Sequence, residues 1–291
     1  MYAWIESNRE KESVAYCCKV LQVGRTGYYR SIARQAQEDK NATVLSAVKG
    51  IHQAHPEYGT ERVRVLLSEE NRRSYGTIYK LRKKHGLLAT KRRKPQGTTK
   101  RSEKDELSED LVQRDFRAED PGSKWLGDIT QAKCKDGKLY IAGVMDCYDG
   151  ALVGLSMNDN MKTALCTDAL RSAVSRYGHP PGLIFHSDRG SQYTSREYRQ
   201  TLEGYGIRQS MGRTGSCYDN ARMESFWATL KKELLYRLPL STMTKAEVRR
   251  AVFRWIECEY NLTRPYSANP DYLPPLKYRA KMMRQQDKRA A

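Results

Sequence analysis

Nothing in the 291-residue sequence approaches the roughly 18 consecutive apolar residues that a membrane-spanning helix needs. Its opening stretch, MYAWIESNREKE, is too charged for a secretory signal peptide. Paired cysteines are lacking too. Cys17, Cys18, Cys134, Cys147, Cys166, Cys217 and Cys258 include no C-x-x-C pair and are odd in number, the pattern of reduced structural thiols. His52 and His55 are spaced as zinc ligands can be, but no cysteine pair follows at the distance a zinc finger needs. Acidic residues are scarce at one end: residues 1–101 hold 9 Asp+Glu against 22 Lys+Arg, or +13, and the rest adds only +5 to the total of +18. Such asymmetry is the footprint of a polyanion-binding arm, and nucleic acid is the commonest polyanion. With no span and no export signal, the expected location is the cytoplasm or the nucleoid, and the length allows two or three domains.

Along the chain, SVAYCCKVLQVGRTGYYRS spaces Val14, Cys17, Cys18 and Leu21 helically, breaks at Gly24 and resumes at Gly27. That is a helix, a tight turn and a second helix start. The stretch from Ile51 to Ala89 repeats the pattern, with Thr60 as N-cap before Val63, Leu66 and Leu67, and a last helix carrying Ile78, Tyr79, Leu81 and Arg82. Residues 1–90 are thus expected to form small all-α helix-turn-helix modules that bind DNA. Arg72, Arg73, Lys80, Arg82, Lys83 and Lys84 cluster on or beside the last helix and are candidate DNA contacts. So is the run Lys91, Arg92, Arg93 and Lys94. Residues 91–122 read as a basic, polar linker.

From Trp125 the texture changes. WLGDITQAKC, KLYIAGVMDCY and ALVGLSMND read as three consecutive strands separated by KDG and DG turns that suit hairpins. The period then becomes helical, with Met161, Leu165, Cys166, Ala169, Leu170, Ala173, Val174 and Tyr177 in one stripe and Gly178 as C-cap. GLIFHSD follows as a short buried strand, SREYRQTLEGYG as a helix and IRQSMG as a further strand. This order predicts an α/β, ribonuclease H-like domain over 123–235, followed by a C-terminal helical extension and basic tail over 236–291.

Three carboxylates stand out. Asp188 ends the GLIFHSD strand, in the crevice beyond a strand's carboxyl end where open α/β sheets bind ligands. Asp128 lies inside the first strand, where aspartate is depleted because it desolvates poorly. Glu224 lies on a helix whose buried stripe is Met223, Phe226, Trp227, Leu230 and Leu234, about 100° off the stripe's centre, on the same side as Asn220 and Lys231. Ser216 and Asp219 fit a capping box that would start this helix. A few carboxylates plus substrate phosphate oxygens complete the octahedral shell of magnesium. Two such ions about 4 Å apart can activate an attacking oxygen and stabilise a leaving one. Taken singly, a helix N-cap or turn aspartate and a solvated helix glutamate are the favoured readings of Asp188 and Glu224.

The surrounding words are more specific. WLGDIT, DGKLYIAGVMD, FHSDRGSQYTS, GIRQSMGRTGSCYDNARMESFWATLKKE and EYNLTRPYSA resemble, in order and spacing, the core of bacterial insertion-sequence transposases. The likeness is to the second-reading-frame (OrfB) proteins of the IS three family, with their retroviral-integrase-like DDE core. It runs from Trp125 to about Tyr278, and HPEYGTERVRVLL with YGTIYKLRKKHGLL resembles that family's helical DNA-binding module. Gln131 after D-I-T, YDGAL after the second strand, and RPYS and PP near the end depart from the family pattern.

The resemblance implies DNA transposition and integration: strand cleavage frees a 3′-hydroxyl at the element's end, and strand transfer follows, without ATP or a protein-linked intermediate. It places the D, D, E triad, which is both catalytic and metal-binding, on Asp128, Asp188 and Glu224, with 59 and 35 residues between them. The implied cofactors are two Mg²⁺ ions, for which Mn²⁺ can substitute, with Asp128 bridging. The implied partners are double-stranded DNA, as terminal inverted repeats and target, further copies of the chain in a synaptic complex, and the upstream-frame OrfA protein. Lys231, Arg189 and His186 are further candidate DNA contacts, with a solvated Lys231 and a packed His186 as alternatives. Two other readings stay open: a non-catalytic DNA-binding regulator or decayed copy, and a nuclease of ribonuclease H type.

Overall fold

The computed structural model describes residues 1–89, 108–212 and 220–290, without the side chains of 34–40, 287, 289 and 290. Lys91, Arg92, Arg93, Lys94, Ser216, Cys217 and Asp219 lie outside these residues. The chain divides into two units, Met1–Lys91 and Arg92–Ala291. No helix among the described residues is long and apolar enough to cross a membrane.

The first unit is all helical: α1 (Tyr2–Asn8), α2 (Val14–Val20), α3 (Arg25–Ala54), α4 (Thr60–Leu66) and α5 (Tyr75–Lys84). Ser13 caps α2 by accepting from the Tyr16 amide, and Ser74 caps α5 by accepting from Thr77. Two small cores form. Ile5, Cys17, Cys18 and Tyr28 join α1, α2 and the start of α3. Val44, Val48, Tyr58, Val63, Leu67 and Ile78 join the end of α3 to α4 and α5. Gly59, not Thr60, is the N-cap of α4, because the Thr60 hydroxyl faces inward to Arg82.

Arg82 corrects a second expectation. Its side chain is fully buried, donating from Nε to Leu87 O at 2.8 Å, from Nη2 to Tyr58 O at 2.8 Å and from Nη1 to Thr60 Oγ1 at 3.3 Å. It therefore ties α5 to the start of α4 and cannot touch DNA. In the sequence it is one of a cluster of basic residues on or beside the last helix, although its place four residues on from the buried Ile78 sets it on the inner side. Arg82→Ala, which orphans two buried carbonyls, is expected to destabilise this unit by about 2–4 kcal/mol, whereas Lys83→Ala leaves stability within about 0.5 kcal/mol. Thermal unfolding of the full chain distinguishes them, and equal melting would contradict the structural role.

The second unit is built on a five-stranded sheet of β1 (Lys124–Cys134), β2 (Gly137–Asp146), β3 (Leu152–Asn158), β4 (Ile184–Ser187) and β5 (Arg208–Met211), in the order β3-β2-β1-β4-β5. β1, β2 and β3 pair antiparallel, and β1–β4 and β4–β5 pair parallel. One face, carrying Leu126, Leu139, Ile141 and Met145, is covered by α9 (Ala221–Glu233) and α10 (Lys245–Arg254), which runs into a π turn at Trp255–Tyr260. The other, carrying Trp125, Ala142, Val144 and Phe185, is covered by α6 (Thr163–Tyr177), α7 (Ser191–Thr194) and α8 (Arg196–Gly204). Helices on both faces of a mixed sheet make the ribonuclease H-like arrangement the strand order predicted.

Several boundaries differ from the sequence reading. Met161 lies before α6 and is exposed, since α6 starts at Thr163. Residues 108–122 are not linker. Met211 N donates to Glu109 O at 3.2 Å and Leu111 N to Ser210 Oγ at 2.9 Å, while Val112, Phe116 and Ala118 pack inward. These few apolar residues sit among charges too dispersed to show a period. The C-terminal segment is part of the same core: Val248, Val252, Trp255, Ile256 and Tyr260 pack with α9. Arg279 of α11 (Pro275–Ala290) is buried against Asp146 and Asp149.

Candidate active site

Asp128 and Asp188 are brought together by register. β1 and β4 run parallel with Leu126 opposite His186, so Asp128, two residues further along β1, and Asp188, just beyond the end of β4, come near enough for the Asp188 charge to act on Asp128. Asp128 is half-buried. Its Oδ1 accepts from the Ile129 amide at 2.8 Å and its Oδ2 from Trp227 Nε1 at 3.1 Å. Burial first, then the neighbouring Asp188 charge, pushes its carboxyl from 3.8 up to about 7, and Glu224 adds to the rise. Asp188, exposed just beyond β4, accepts from the Gly190 amide at 3.0 Å and is raised mainly by desolvation.

The third carboxylate is positioned by α9. Gly143 lies opposite Asp128 on β2, and a Cβ there would meet the Trp227 ring at 3.0 Å. The missing side chain lets the indole lie over the strand and reach Asp128. At the start of the helix, Asn220 is buried and spends its Nδ2 on Gly127 O at 3.0 Å instead of capping the helix. Two links thus fasten the first turns of α9 to β1, one at Gly127 and one at Asp128 itself. Between them in sequence, Glu224 is exposed, and its charge reaches Asp128. Among the described residues, no three His, Cys, Asp or Glu side chains are close enough to hold one metal ion. The site is a pair of aspartates with the glutamate standing off.

The other expected residues divide. Lys231 is half-buried two turns along α9 from Glu224. Arg189 is half-buried and donates from Nε to Gly212 O at 2.8 Å, so part of its head is taken up by backbone. His186 is buried, its Nδ1 2.8 Å from Ser210 Oγ, which corrects its placement as a DNA contact in favour of the packed alternative. The helix is described from Ala221, after Asn220, and the Ser216–Asp219 capping box lies outside the described residues. Sequence reasoning missed Asn220 and Trp227 as site-builders. The signal was present in Trp227, whose indole N–H needs a partner when buried.

Comparisons with known proteins place the chain in a family. Two family models described as integrase core domain match residues 118–217 and 205–275, and one described as HTH-like domain matches 38–95. The transposase InsF for insertion sequence IS3A of Escherichia coli (strain K12) is 34% identical over 278 residues, covering 91% of this chain and 94% of that protein. An uncharacterized 31 kDa protein of insertion element IS600 from Shigella sonnei is 34% identical over 255 residues, covering 86% and 93%. Among solved structures, the magnesium-bound catalytic core of HTLV-2 integrase superposes with a TM-score of 0.41 at 22% identity, covering 54% of this chain and 96% of that one. The catalytic core of BIV integrase gives a TM-score of 0.42 at 15% identity, covering 57% and 98%. The extent of the match to InsF, with integrase-core matches spanning the sheet and its covering helices, shows that the chain belongs to the IS3-type insertion-sequence transposases, polynucleotidyl transferases with an integrase core.

Proposed function

We propose that Asp128, Asp188 and Glu224 are the catalytic carboxylates of this transposase and that they hold two Mg²⁺ ions, replaceable by Mn²⁺. The observation that carries this is the proximity of Asp128, inside β1, to Asp188, just beyond the end of the parallel neighbour β4, with a helix bearing Glu224 fastened to β1. The donor set fits a hard divalent ion. All three groups offer oxygen, each Asp128 oxygen keeps a lone pair beyond the one its protein donor uses, and the burial and neighbouring negative charge that raise Asp128 are what a cation offsets. When bound, the ions would supply activation of the attacking oxygen and charge stabilisation at the leaving one.

The chain's own groups do the rest. Trp227 and the Ile129 amide fix the plane of the Asp128 carboxyl, and Gly190 fixes that of Asp188. Lys231, on the Glu224 side of α9, holds a phosphate of the bound strand. Lys80, Lys83 and Lys84, exposed on α5, hold terminal inverted repeats by phosphate contact, and target DNA enters the same catalytic cleft. Two ends are joined by at least two copies of the chain, with the upstream-frame protein OrfA as a further partner on the nucleoid.

Metal removal tests the donor set. In the metal-free protein Asp128 keeps a proton between pH 4 and about 7 that the unfolded chain has released. Folding stability therefore falls as pH rises through that window. Adding Mg²⁺ is expected to raise the melting temperature, more at pH 8 than at pH 6, and Asp128→Asn is expected to lose both the slope and the metal response. A melting temperature indifferent to Mg²⁺ at pH 8 would remove the metal from this site.

A further inference from the structure

We propose that α1, α2 and the first turns of α3 form a second reader of double-stranded DNA, separate from the HTH-like domain matched at 38–95, with Arg25, Thr26, Tyr29 and Arg30 facing the major groove. It rests on the reading of this chain as a transposase that binds its element's ends. The scaffold comes first. α2 and α3 are joined by only four residues, Leu21 to Gly24, the turn length of a helix-turn-helix. Gln22 takes a left-handed φ of 53°, and Val23 N then bonds back to Cys18 O at 3.0 Å, drawing Val23 towards the Cys17, Cys18 and Tyr28 core. α1 closes the third side. A Cβ at Gly27 would collide with the Tyr2 phenol, so the bare position lets α1 lie against α3, and the Tyr28 hydroxyl donates to Glu6 across the same contact.

With Tyr28 turned inward, Arg25, Thr26, Tyr29 and Arg30 fall at i, i+1, i+4 and i+5 on the outer face, all exposed, and line one shallow depression. Tyr29 leaves 55% of its surface in solvent with no core of its own to fill. Charge selects the occupant. Residues 13–33 contain Lys19, Arg25 and Arg30 and no acidic residue, and neither arginine forms an ion pair among the described residues. In a helix-turn-helix the first turns of the second helix meet base edges. Arginine there matches guanine, and an exposed ring or methyl group matches the thymine methyl.

The test is footprinting and titration of the full chain on a duplex carrying the element's terminus and on a scrambled duplex. Wild type is expected to protect two patches. Arg25→Ala/Tyr29→Ala should lose one patch and bind the terminus at least about tenfold more weakly, with a smaller loss on scrambled DNA. Lys80→Ala/Lys83→Ala should keep that patch and weaken binding on both duplexes. If the Arg25/Tyr29 variant matches wild type while the lysine variant weakens, end binding stands and this reader is overturned. Equal weakening on both duplexes overturns base reading at this face, and no change in either variant overturns both readings together. Unchanged circular dichroism and melting of the variants exclude misfolding as the cause.

Discussion

Glu224→Gln is expected to abolish joining of the element's ends, by about 10³-fold or more in rate, while end binding and melting temperature stay at wild-type values. The separation of effects follows from the environment of Glu224. It is exposed one turn into α9 and makes no hydrogen bond or ion pair among the described residues, so the amide removes a charge and no structural contact. Asp128→Asn should remove activity equally but raise the stability of the metal-free protein, because a desolvated carboxyl is replaced by a neutral isostere. Mg²⁺-dependent nicking and strand transfer on a labelled terminus, at matched DNA occupancy, reads both. Strand transfer by Glu224→Gln at an undiminished rate would show that the two aspartates suffice. Loss of binding along with joining would show that Glu224 serves DNA contact.

The largest stability effect is expected away from the chemistry. Glu233, at the end of α9, and Arg264, beyond the π turn, are both buried and paired twice, Nε to Oε2 at 2.7 Å and Nη2 to Oε1 at 2.8 Å, with the Arg264 head over the Tyr260 ring. Removing one partner strands the other in a low-dielectric core. Glu233→Ala should therefore cost about 3–5 kcal/mol in chemical denaturation of the catalytic unit, whereas Glu233→Met with Arg264→Leu should be nearly neutral. The far end of α9 is held by this pair as its near end is held by Asn220, so the destabilised variant should also lose Mg²⁺-dependent activity at temperatures where it remains folded. A cost below about 1 kcal/mol would mean that the pair is reached by water.

The catalytic sheet was legible because its signals are local. β1 to β3 are short β-prone runs bounded by KDG and DG turns, and α6 keeps a clean helical period up to Gly178. Asp128 and Asp188 were legible as misfits, since each interrupts or ends an apolar run. What remained hidden depends on contacts distant in sequence. Arg82 reads as one of six basic residues until Tyr58 O and Thr60 Oγ1 are seen beneath it. Asn220 reads as an ordinary polar residue until Gly127 O is found 3.0 Å away, and Val112 and Phe116 read as linker until their partners fold back on them. Residue types and periods report which face is apolar, but not which distant carbonyl or carboxylate a polar tip will meet.

The parallel pairing of β1 with β4 also orders events in time. The β1–β3 meander can close as soon as residue 158 is available, but Asp188 reaches Asp128 only through a crossover that spans 59 residues, and α9 is sealed by packing that extends to Tyr260. Such non-local contacts make folding slow relative to helical modules built from neighbouring segments. The N-terminal unit is complete within the first 91 residues. During synthesis it therefore folds first, and Asp128, Asp188 and Glu224 come together only once the packing that extends to Tyr260 can form.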